Sequence, residues 1–429
     1  MAERAAAGRF DAYLGQLRAV VGHADRAGPL RAYLTGLLLP GERKSVEPMA
    51  AKIDPRHVAA RHQSMHHFVA QAPWDAARLV AVARDYALAQ LERHGPVAAW
   101  VVDDTAYPKK GSHSVGVARQ YCGVLGKPEN CQVAVTVSLV NATMSVPSAY
   151  RLYLPERWAR DRARRREAAI PPAVRFRSKW ELALDAIDAL CADDLPRAPI
   201  VADAGYGVIT AFRDALTRRG FSYAVGITAE TTVWPTGTGP LPPPRWRGQG
   251  RPPTRYRRTA THQPLAVGLV AEKLGDEHWR TVRWREGTRG TMQSRFTVVR
   301  VRAAHRDERS APPRDPAWLL IEWPRGDAEP TKYWLSTVPE TVPIDELVRL
   351  AKIRWRIERD FQELKGELGL DHYEGRGWRG FHHHGVLCIA AYAFLAAERA
   401  RLSPPAPLAF LRLPRVPRGF RPRGAARAS

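Results

Sequence analysis

Two short apolar segments, residues 97–102 and 199–202, are each followed directly by aspartate. The first segment precedes Asp103 and Asp104, and the second precedes Asp203. Short continuous apolar runs are typical of buried strands, and helical periodicity at residues 209–218 gives the alternation of an α/β fold. Ligand sites in open α/β sheets lie at the carboxyl ends of strands. The pattern therefore predicts an α/β fold with carboxylates at two strand ends.

The flanking composition divides the chain into five segments. Apolar positions at helical spacing predict a helical module over residues 1–95. The α/β core occupies residues 96–228 and 318–400 and is interrupted by a β-rich insertion, residues 229–317, that is rich in Pro, Gly and Arg. This insertion is expected to stand outside the core sheet. Residues 401–429 are basic and Pro-rich and are expected to be disordered.

Charge narrows the classes of partner. The chain has 66 Lys and Arg against 43 Asp and Glu, a formal charge of +23. Such an excess favours a polyanionic partner, with nucleic acid first and an anionic membrane surface second.

The most apolar segment, residues 386–397, is too short to span a bilayer. The four cysteines form no C-x-x-C pair, which is typical of reduced thiols in the cytoplasm.

A long helix is predicted to begin near Asp345. Relative to Glu358, Arg354 lies one turn earlier and Lys365 two turns later, so all three project from nearly the same side. An apolar stripe borders them, which indicates that one face of this helix is buried. Its members are Leu347, Leu350, Ile353, Ile357, Phe361, Leu364 and Leu368. The alternative is a solvated face of ion pairs without a ligand.

Together, Asp104, Asp203 and Glu358 supply carboxylates from two strand ends and one helix. Carboxylate oxygens are hard ligands, and two Mg²⁺ ions about 4 Å apart can activate both the nucleophile and the leaving oxygen in phosphoryl transfer. Mn²⁺ is an expected substitute for Mg²⁺. Adjacent strand residues face opposite ways, so Asp103 is expected to face away from this site. Taken singly, each acid is better explained as a turn or helix-cap residue.

Three stretches resemble one family. DDTAYPKKGSHSVGVARQYCG, ADAGYG and RWRIERDFQELKGELGLDHYEGRGWRGFHHH are similar to DDE transposases of bacterial insertion sequences, in the branch named for insertion sequence 701. The resemblance implies an RNase H-like core. It places the Asp-Thr signature on Asp104, the second Asp on Asp203, and the Tyr-x2-Arg-x3-Glu-x6-Lys signature on Arg354, Glu358 and Lys365. Ala351 occupies the Tyr position.

The resemblance also implies an activity. Such enzymes move DNA by cut-and-paste: water attacks the phosphodiester at each transposon end, and the freed 3′-OH attacks target DNA. The expected partners are double-stranded DNA, in the form of terminal inverted repeats and target, and a second copy of the chain. The helical module of residues 1–95 is the expected DNA-binding and dimerisation module. Release of the ends through a DNA hairpin and association with the nucleoid are implied as well. No G-x-x-x-x-G-K-[ST] motif occurs, so ATP use is not expected.

Other basic and aromatic residues are weaker candidates for DNA contact. Lys109 and Lys110 follow Asp104 and suit either a phosphate backbone or a basic turn. Arg245, Trp246 and Arg247 begin a stretch that mixes Arg with aromatic residues, as in single-strand binding, although a solvated loop has the same composition. His382, His383 and His384 are not expected to bind zinc, because three consecutive helical residues splay over about 200°.

Two other functions remain open from the sequence. One is a decayed, non-enzymatic protein that still binds terminal repeats, and Ala351 leaves room for it. The other is a metal-dependent nuclease that cuts without strand transfer. The presence of all three acids disfavours the decayed protein. An assay for strand joining distinguishes the nuclease from a transposase.

Overall fold

The computed structural model describes residues 2–287, 290–305, 307 and 313–403. These residues form two compact units. Unit 1 takes in the described residues up to Arg197 and from Trp355 onward, and unit 2 takes in those of Ala198–Arg354. The unit boundaries differ from the predicted segment boundaries, so the five-segment division stays a prediction. Residues 404–429 of the predicted tail lie outside the described residues.

Unit 1 is mainly helical around a small antiparallel sheet. Its helices are α1 (Ala2–Val21), α2 (Ala27–Leu38), α3 (Val46–Ile53), α4 (Val58–Ala70), α5 (Ala76–Leu91), α6 (Glu156–Arg160), α7 (Arg162–Glu167), α8 (Lys179–Ala192), α13 (Trp355–Gly366) and α14 (Trp378–Leu402). Its strands are β1 (Ala99–Pro108), β2 (Ala118–Cys122), β3 (Lys127–Val140) and β4 (Ser145–Leu152).

Strand β3 organises the sheet of unit 1. It pairs with β1 along ten residues, from Ala99 opposite Val140 to Pro108 opposite Cys131. Its first part also pairs with β2, and its second part pairs with β4. β1 therefore has regular extended geometry along its whole length.

Helix α14 is the buried centre against which the N-terminal helices pack. The Tyr13 hydroxyl donates a hydrogen bond to the Ala390 carbonyl at 2.8 Å, and the Tyr33 hydroxyl lies 2.9 Å from His384 Nδ1. Helices occupy most of residues 1–95, as the periodicity predicts, but they share a unit with α14. No helix in the described ranges is long and apolar enough to cross a membrane.

Unit 2 contains a mixed sheet. Its strands are β5 (Ile200–Ala202), β6 (Tyr223–Ile227), β7 (Thr232–Pro235), β8 (Leu265–Ala266), β9 (Arg280–Gly287), β10 (Gly290–Ala303), β11 (Ala317–Glu322) and β12 (Lys332–Ser336). The strand order is β5-β6-β12-β11-β10-β7-β8, and β9 also pairs with β10. Only the β5–β6 pair is parallel among these pairings. The helices are α9 (Ala204–Gly207), α10 (Thr210–Arg218), α11 (Val267–Glu272) and α12 (Ile344–Lys352).

The expectation that residues 229–317 stand outside the core sheet is wrong. β10 pairs with β11 from Phe296 opposite Glu322 to Val301 opposite Ala317. β11 in turn pairs with β12, and β12 pairs with β6. The open edge of β11 presents backbone N–H and C=O groups that need partners, and β10 supplies them. The β-rich segment therefore extends the sheet that contains β6.

The single long helix predicted from Asp345 is also wrong. α12 ends at Lys352 and α13 begins at Trp355. The N–H of Ile353 donates to the Leu350 carbonyl at 3.2 Å, an i to i−3 bond that tightens the chain and ends α12. Arg354 lies in this break, so the argument that placed it one helical turn before Glu358 no longer applies.

Candidate active site

The first predicted acids lie within strand β1. They do not end it: β1 continues through Asp103 and Asp104 to Pro108. The expectation of a strand end at this point is wrong, because pairing with β3 is uninterrupted, with Asp104 opposite Val135. Both acids are partly exposed, in contrast to the buried apolar residues that precede them. The two acids thus interrupt the burial of the strand, which resumes at Thr105, while its backbone pairing continues.

Helix α13 carries Glu358 and Lys365. Lys365 lies seven positions after Glu358, close to two helical turns, so both project from nearly the same side. Ile357, Phe361 and Leu364 form the buried stripe that borders this side. Glu358 lies in the first turn, where the positive end of the helix macrodipole stabilises a carboxylate. This part of the predicted helix phase is confirmed.

A cavity of about 600 Å³ within unit 1 is lined by residues of both β1 and α13. Its charged and polar lining includes Asp103, Asp104, Glu358, Lys365, Asp371 and His372. We call it the carboxylate cavity. Two of the three predicted catalytic acids therefore border one space, with a predicted DNA-binding lysine beside them.

Lys365 is held at the wall of the carboxylate cavity. Its ammonium donates to the Ala106 carbonyl at 2.9 Å and lies 5.3 Å from the centroid of the Tyr107 ring. Burial lowers the pKa of this lysine, while the Asp371 carboxylate opposes that shift. A partly desolvated cation at this place is suited to an anionic ligand, because desolvation strengthens its electrostatic interactions.

Asp103 borders the same cavity, so the expectation that it faces away from the site is wrong. Side chains alternate along a strand. Asp103 has the parity of Tyr107, whose ring lies near Lys365 of α13, whereas Asp104 has the opposite parity and pairs with Lys179 of α8, although both acids border the cavity. Asp103 Oδ1 accepts the N–H of Asp104 at 2.9 Å, whereas Asp104 Oδ2 lies 2.6 Å from Lys179 Nζ. The two neighbouring carboxylates thus have different partners at one cavity.

Asp203 is positioned within unit 2 by a short strand and a tight turn. β5 ends at Ala202, as predicted, and Asp203 caps α9 with its carbonyl, which accepts the Gly207 N–H at 2.9 Å. A Cβ on Gly207 would lie 1.8 Å from the Gly226 carbonyl oxygen. The second glycine of the ADAGYG stretch is therefore required for the close approach of this turn to β6.

The Asp203 carboxylate has an acceptor atom without a visible partner. Oδ1 is buried and receives no hydrogen bond among the described residues, and Oδ2 lies 4.0 Å from Arg354 Nη2 in the same unit. A buried acceptor of this kind is costly unless a ligand or ion satisfies it. Arg354 thus forms an ion pair within unit 2 with Asp203, the second of the predicted catalytic acids.

The donor chemistry fits a divalent cation. Asp104, Asp203 and Glu358 offer the carboxylate oxygens that Mg²⁺ and Mn²⁺ prefer, and Asp203 has the unsatisfied oxygen described above. Within the part of the chain that the structure describes, no three His, Cys, Asp or Glu side chains are grouped closely enough to hold a metal. Asp203 belongs to a different unit from the other two acids. A shared site for all three stays a prediction.

The remaining predicted DNA-binding residues differ in exposure. The Lys109 ammonium donates to the Tyr373 carbonyl at 2.9 Å, and burial lowers its pKa. Lys110 is exposed. Arg245, Trp246 and Arg247 lie in an exposed loop of unit 2, where the Trp246 indole N–H is near the Gln249 and Gly250 carbonyls.

The three consecutive histidines contact three different places. His382 Nε2 accepts the Leu152 N–H, His383 lies between the Val69 and Trp74 carbonyls, and His384 contacts Tyr33 and the Gly369 carbonyl. Burial lowers their pKa values to about 4, 3 and 4 in chain order. They are neutral core residues that join α14 to its neighbours.

Sequence reasoning missed two residues beside the site. Lys179, the first residue of α8, forms the ion pair with Asp104. Asp360, two residues after Glu358, is buried and accepts hydrogen bonds from Ser145 and Tyr392. Each had a signal in the sequence. A lysine opposes the macrodipole at a helix start, and an acid three residues after Ile357 lies in an apolar stripe.

Comparison with known proteins gives two matches. The pattern of a family described as "DDE superfamily endonuclease" matches residues 16–291, more than half of the chain. A curated protein of Microchaete diplosiphon, named "Probable transposase for insertion sequence element IS701", is 33% identical over 145 residues. That alignment covers 34% of this chain and 35% of the relative. The family match includes Asp104 and Asp203 and ends before Glu358.

Proposed function

Because the chain belongs to the DDE superfamily endonucleases, we propose that it is the transposase of a bacterial insertion sequence. It cuts phosphodiester bonds at the transposon ends and joins the freed 3′ ends to target DNA. The observation that carries the proposal is the carboxylate cavity, where Asp104, Glu358 and Lys365 meet within unit 1. The name of the 33% identical relative agrees with it. The α/β units and the motifs support an RNase H-like arrangement of the catalytic core.

The proposed site uses three acids. Asp104, Glu358 and Asp203 would hold two divalent cations, Mg²⁺ or Mn²⁺, on their carboxylate oxygens. Bound cations would neutralise charge on the reacting phosphate and lower the pKa of the attacking water. Asp203 is included among the proposed metal ligands because of its motif, its position after β5 and its unsatisfied Oδ1.

Each chemical step exchanges one phosphorus–oxygen bond for another. In cleavage, a water oxygen bonds to phosphorus, the bond from phosphorus to the 3′ oxygen breaks, and that oxygen takes a proton. In strand transfer, the freed 3′ oxygen loses its proton and bonds to a target phosphorus, and a target 3′ oxygen leaves. Lys365, beside the acids, would bind and orient the phosphate under attack.

DNA contacts are assigned to cations and one aromatic residue. We assign Arg354 and Lys365 to the strand near the scissile phosphate, and Lys110, Arg245, Trp246 and Arg247 to flanking DNA. Lys109 reaches DNA only by leaving the Tyr373 carbonyl. The formal charge of +23 supports a large electrostatic contribution to binding. A homodimer that holds both transposon ends at the nucleoid completes the proposal.

The test uses DNA that ends in the inverted repeats bordering the gene. Purified protein with Mg²⁺ should cut at the repeat boundary and join the end to a plasmid target, whereas Glu358→Gln should do neither. Binding without cleavage by the native chain would favour the decayed DNA-binding protein. Cleavage without joined product would favour the nuclease.

A further inference from the structure

Lys179, which lies outside the recognised motifs, forms an ion pair with Asp104, one of the acids that line the carboxylate cavity. Its Nζ lies 2.6 Å from Asp104 Oδ2, and the two side chains are 30% and 28% exposed. The Tyr153 ring centroid lies 5.7 Å from the same Nζ. An ion pair with an aromatic ring against the cation is more restricted than two solvated side chains. The contact therefore holds the Asp104 carboxylate in one orientation.

The start of α8 fixes where Lys179 can reach. Ser178 and Glu181 form a capping box: Glu181 Oε2 accepts from the Ser178 N–H at 2.8 Å and from its hydroxyl at 2.7 Å. Lys179 is the first residue of this helix, where the macrodipole disfavours a cation. The start of the helix therefore disfavours the positive charge of Lys179. The carboxylate of Asp104, 75 residues earlier in the chain, offsets this unfavourable interaction.

We propose that Lys179 is a positioning residue that holds the Asp104 carboxylate before metal binding and competes with a divalent cation for it. The proposal rests on Asp104 being a metal ligand, as assigned under the proposed function. A divalent cation held by Asp104 would need oxygen lone pairs that the ammonium now engages. The cation must displace the lysine or share the carboxylate with it. Lys179 thus sets the metal concentration at which the site fills.

The main experiment measures Mn²⁺ binding to the full chain without DNA, by calorimetry. Lys179→Ala should bind Mn²⁺ about fivefold more tightly than the native chain, the change expected when an exposed ion pair of ~1 kcal/mol no longer competes. Lys179→Arg keeps the cation and should retain weaker binding. Lys179→Gln is the second neutral variant if the alanine chain does not fold.

Arg177→Ala is the matched control. Arg177 lies two residues earlier and pairs with Asp185 at 2.6 Å, an acid that does not line the carboxylate cavity. It removes the same charge from the same segment and should leave Mn²⁺ affinity unchanged. Equal affinities for the Lys179→Ala and native chains would overturn the proposal, as would an equal gain in Arg177→Ala, which would reveal only a general charge effect.

Cleavage as a function of Mn²⁺ gives the second measurement. Lys179→Ala should reach its maximal rate at lower Mn²⁺, but that maximum should be reduced because Asp104 is less well oriented, and Lys179→Arg should recover most of it. Asp104→Asn separates the two hypotheses. If it removes Mn²⁺ binding while the Lys179 variants change nothing, only the role of Lys179 fails. If Asp104→Asn leaves Mn²⁺ binding intact, Asp104 is not a metal ligand, and the proposed competition between Lys179 and the cation fails as well.

Discussion

The hydroxyl of Tyr392 in α14 donates a hydrogen bond of 2.7 Å to the buried carboxylate of Asp360 in α13. The Ser145 hydroxyl at the start of β4 donates to the same carboxylate. Asp360 lies two residues after Glu358, so these bonds attach the helix that carries the candidate catalytic acid to both its sheet and its neighbouring helix.

Asp360 should make stability depend on pH. Burial raises its pKa from 3.8 to about 6, although the bonds from Ser145 and Tyr392 oppose that rise. The folded chain therefore holds this proton more tightly than the unfolded chain. Its stabilising contribution is complete below pH ~4 and is lost as the pH rises through ~6, a change of roughly 3 kcal/mol.

Urea unfolding at pH 4 to 7 measures this effect. Asp360→Asn keeps the shape and should remove most of the decline in unfolding free energy between pH 4 and 6. Asp185→Asn replaces a partly exposed acid of α8 and should keep the native decline. An unchanged decline in Asp360→Asn would show that other groups cause it.

The three acids should be separately necessary for cleavage. Asp104→Asn, Asp203→Asn and Glu358→Gln should each lower the cleavage rate by about 10³-fold or more, because each removes charge from the metal ligands while DNA contacts stay in place. Filter binding should show DNA affinity within a few-fold of native. Asp103→Asn is the neighbouring control. If it abolished cleavage and Asp104→Asn did not, Asp103 would be the β1 ligand.

Lys365 should matter more for cleavage than for folding. Lys365→Ala removes the cation that borders Glu358 in the carboxylate cavity and should lower the cleavage rate by about 10- to 100-fold. Arg359→Ala removes an exposed cation from the same helix and should leave the rate near native. Normal cleavage by Lys365→Ala would return Lys365 to a structural role at the Ala106 carbonyl.

Gly207 should not tolerate a side chain. In Gly207→Ala the new Cβ would meet the Gly226 carbonyl oxygen, so the turn after Asp203 would have to move away from β6. We expect a loss of about 2 kcal/mol or more in unfolding free energy, together with reduced cleavage. Gly15→Ala in α1 adds the same methyl group where no atom lies within 4 Å, and should be neutral or slightly stabilising. Equal stability of both variants in urea would contradict this packing.

DNA affinity should depend steeply on salt. If six or more phosphates are neutralised, affinity should fall by roughly 10³-fold or more between 50 and 200 mM salt, because bound counterions are released. Fluorescence anisotropy with a labelled terminal repeat measures the slope. A flat response would mean that the formal charge of +23 is not used for DNA binding.

Much of this protein could be predicted from local pattern. The helices before residue 95, the strand that ends before Asp203 and the shared phase of Glu358 and Lys365 all follow from the period of the apolar residues. The period of the apolar residues shows which face of a single helix or strand is buried, and it depends only on residues that are close together in the chain. The acids and cations that belong to the three motifs were recognisable for the same reason, since those motifs are local.

Tertiary structure decided what depends on distant pairing. β1 continues past Asp104 because β3 pairs with it to Pro108, and β10 joins the sheet of β6 because β11 has an open edge. Lys179 lies beside Asp104 only after the sheet of unit 1 and α8 are packed together. The sequence by itself determined which chemical groups the chain carries and the local elements that carry them. Which group touches which was decided by strand register and helix packing, because side chains far apart in sequence meet only when those are complete.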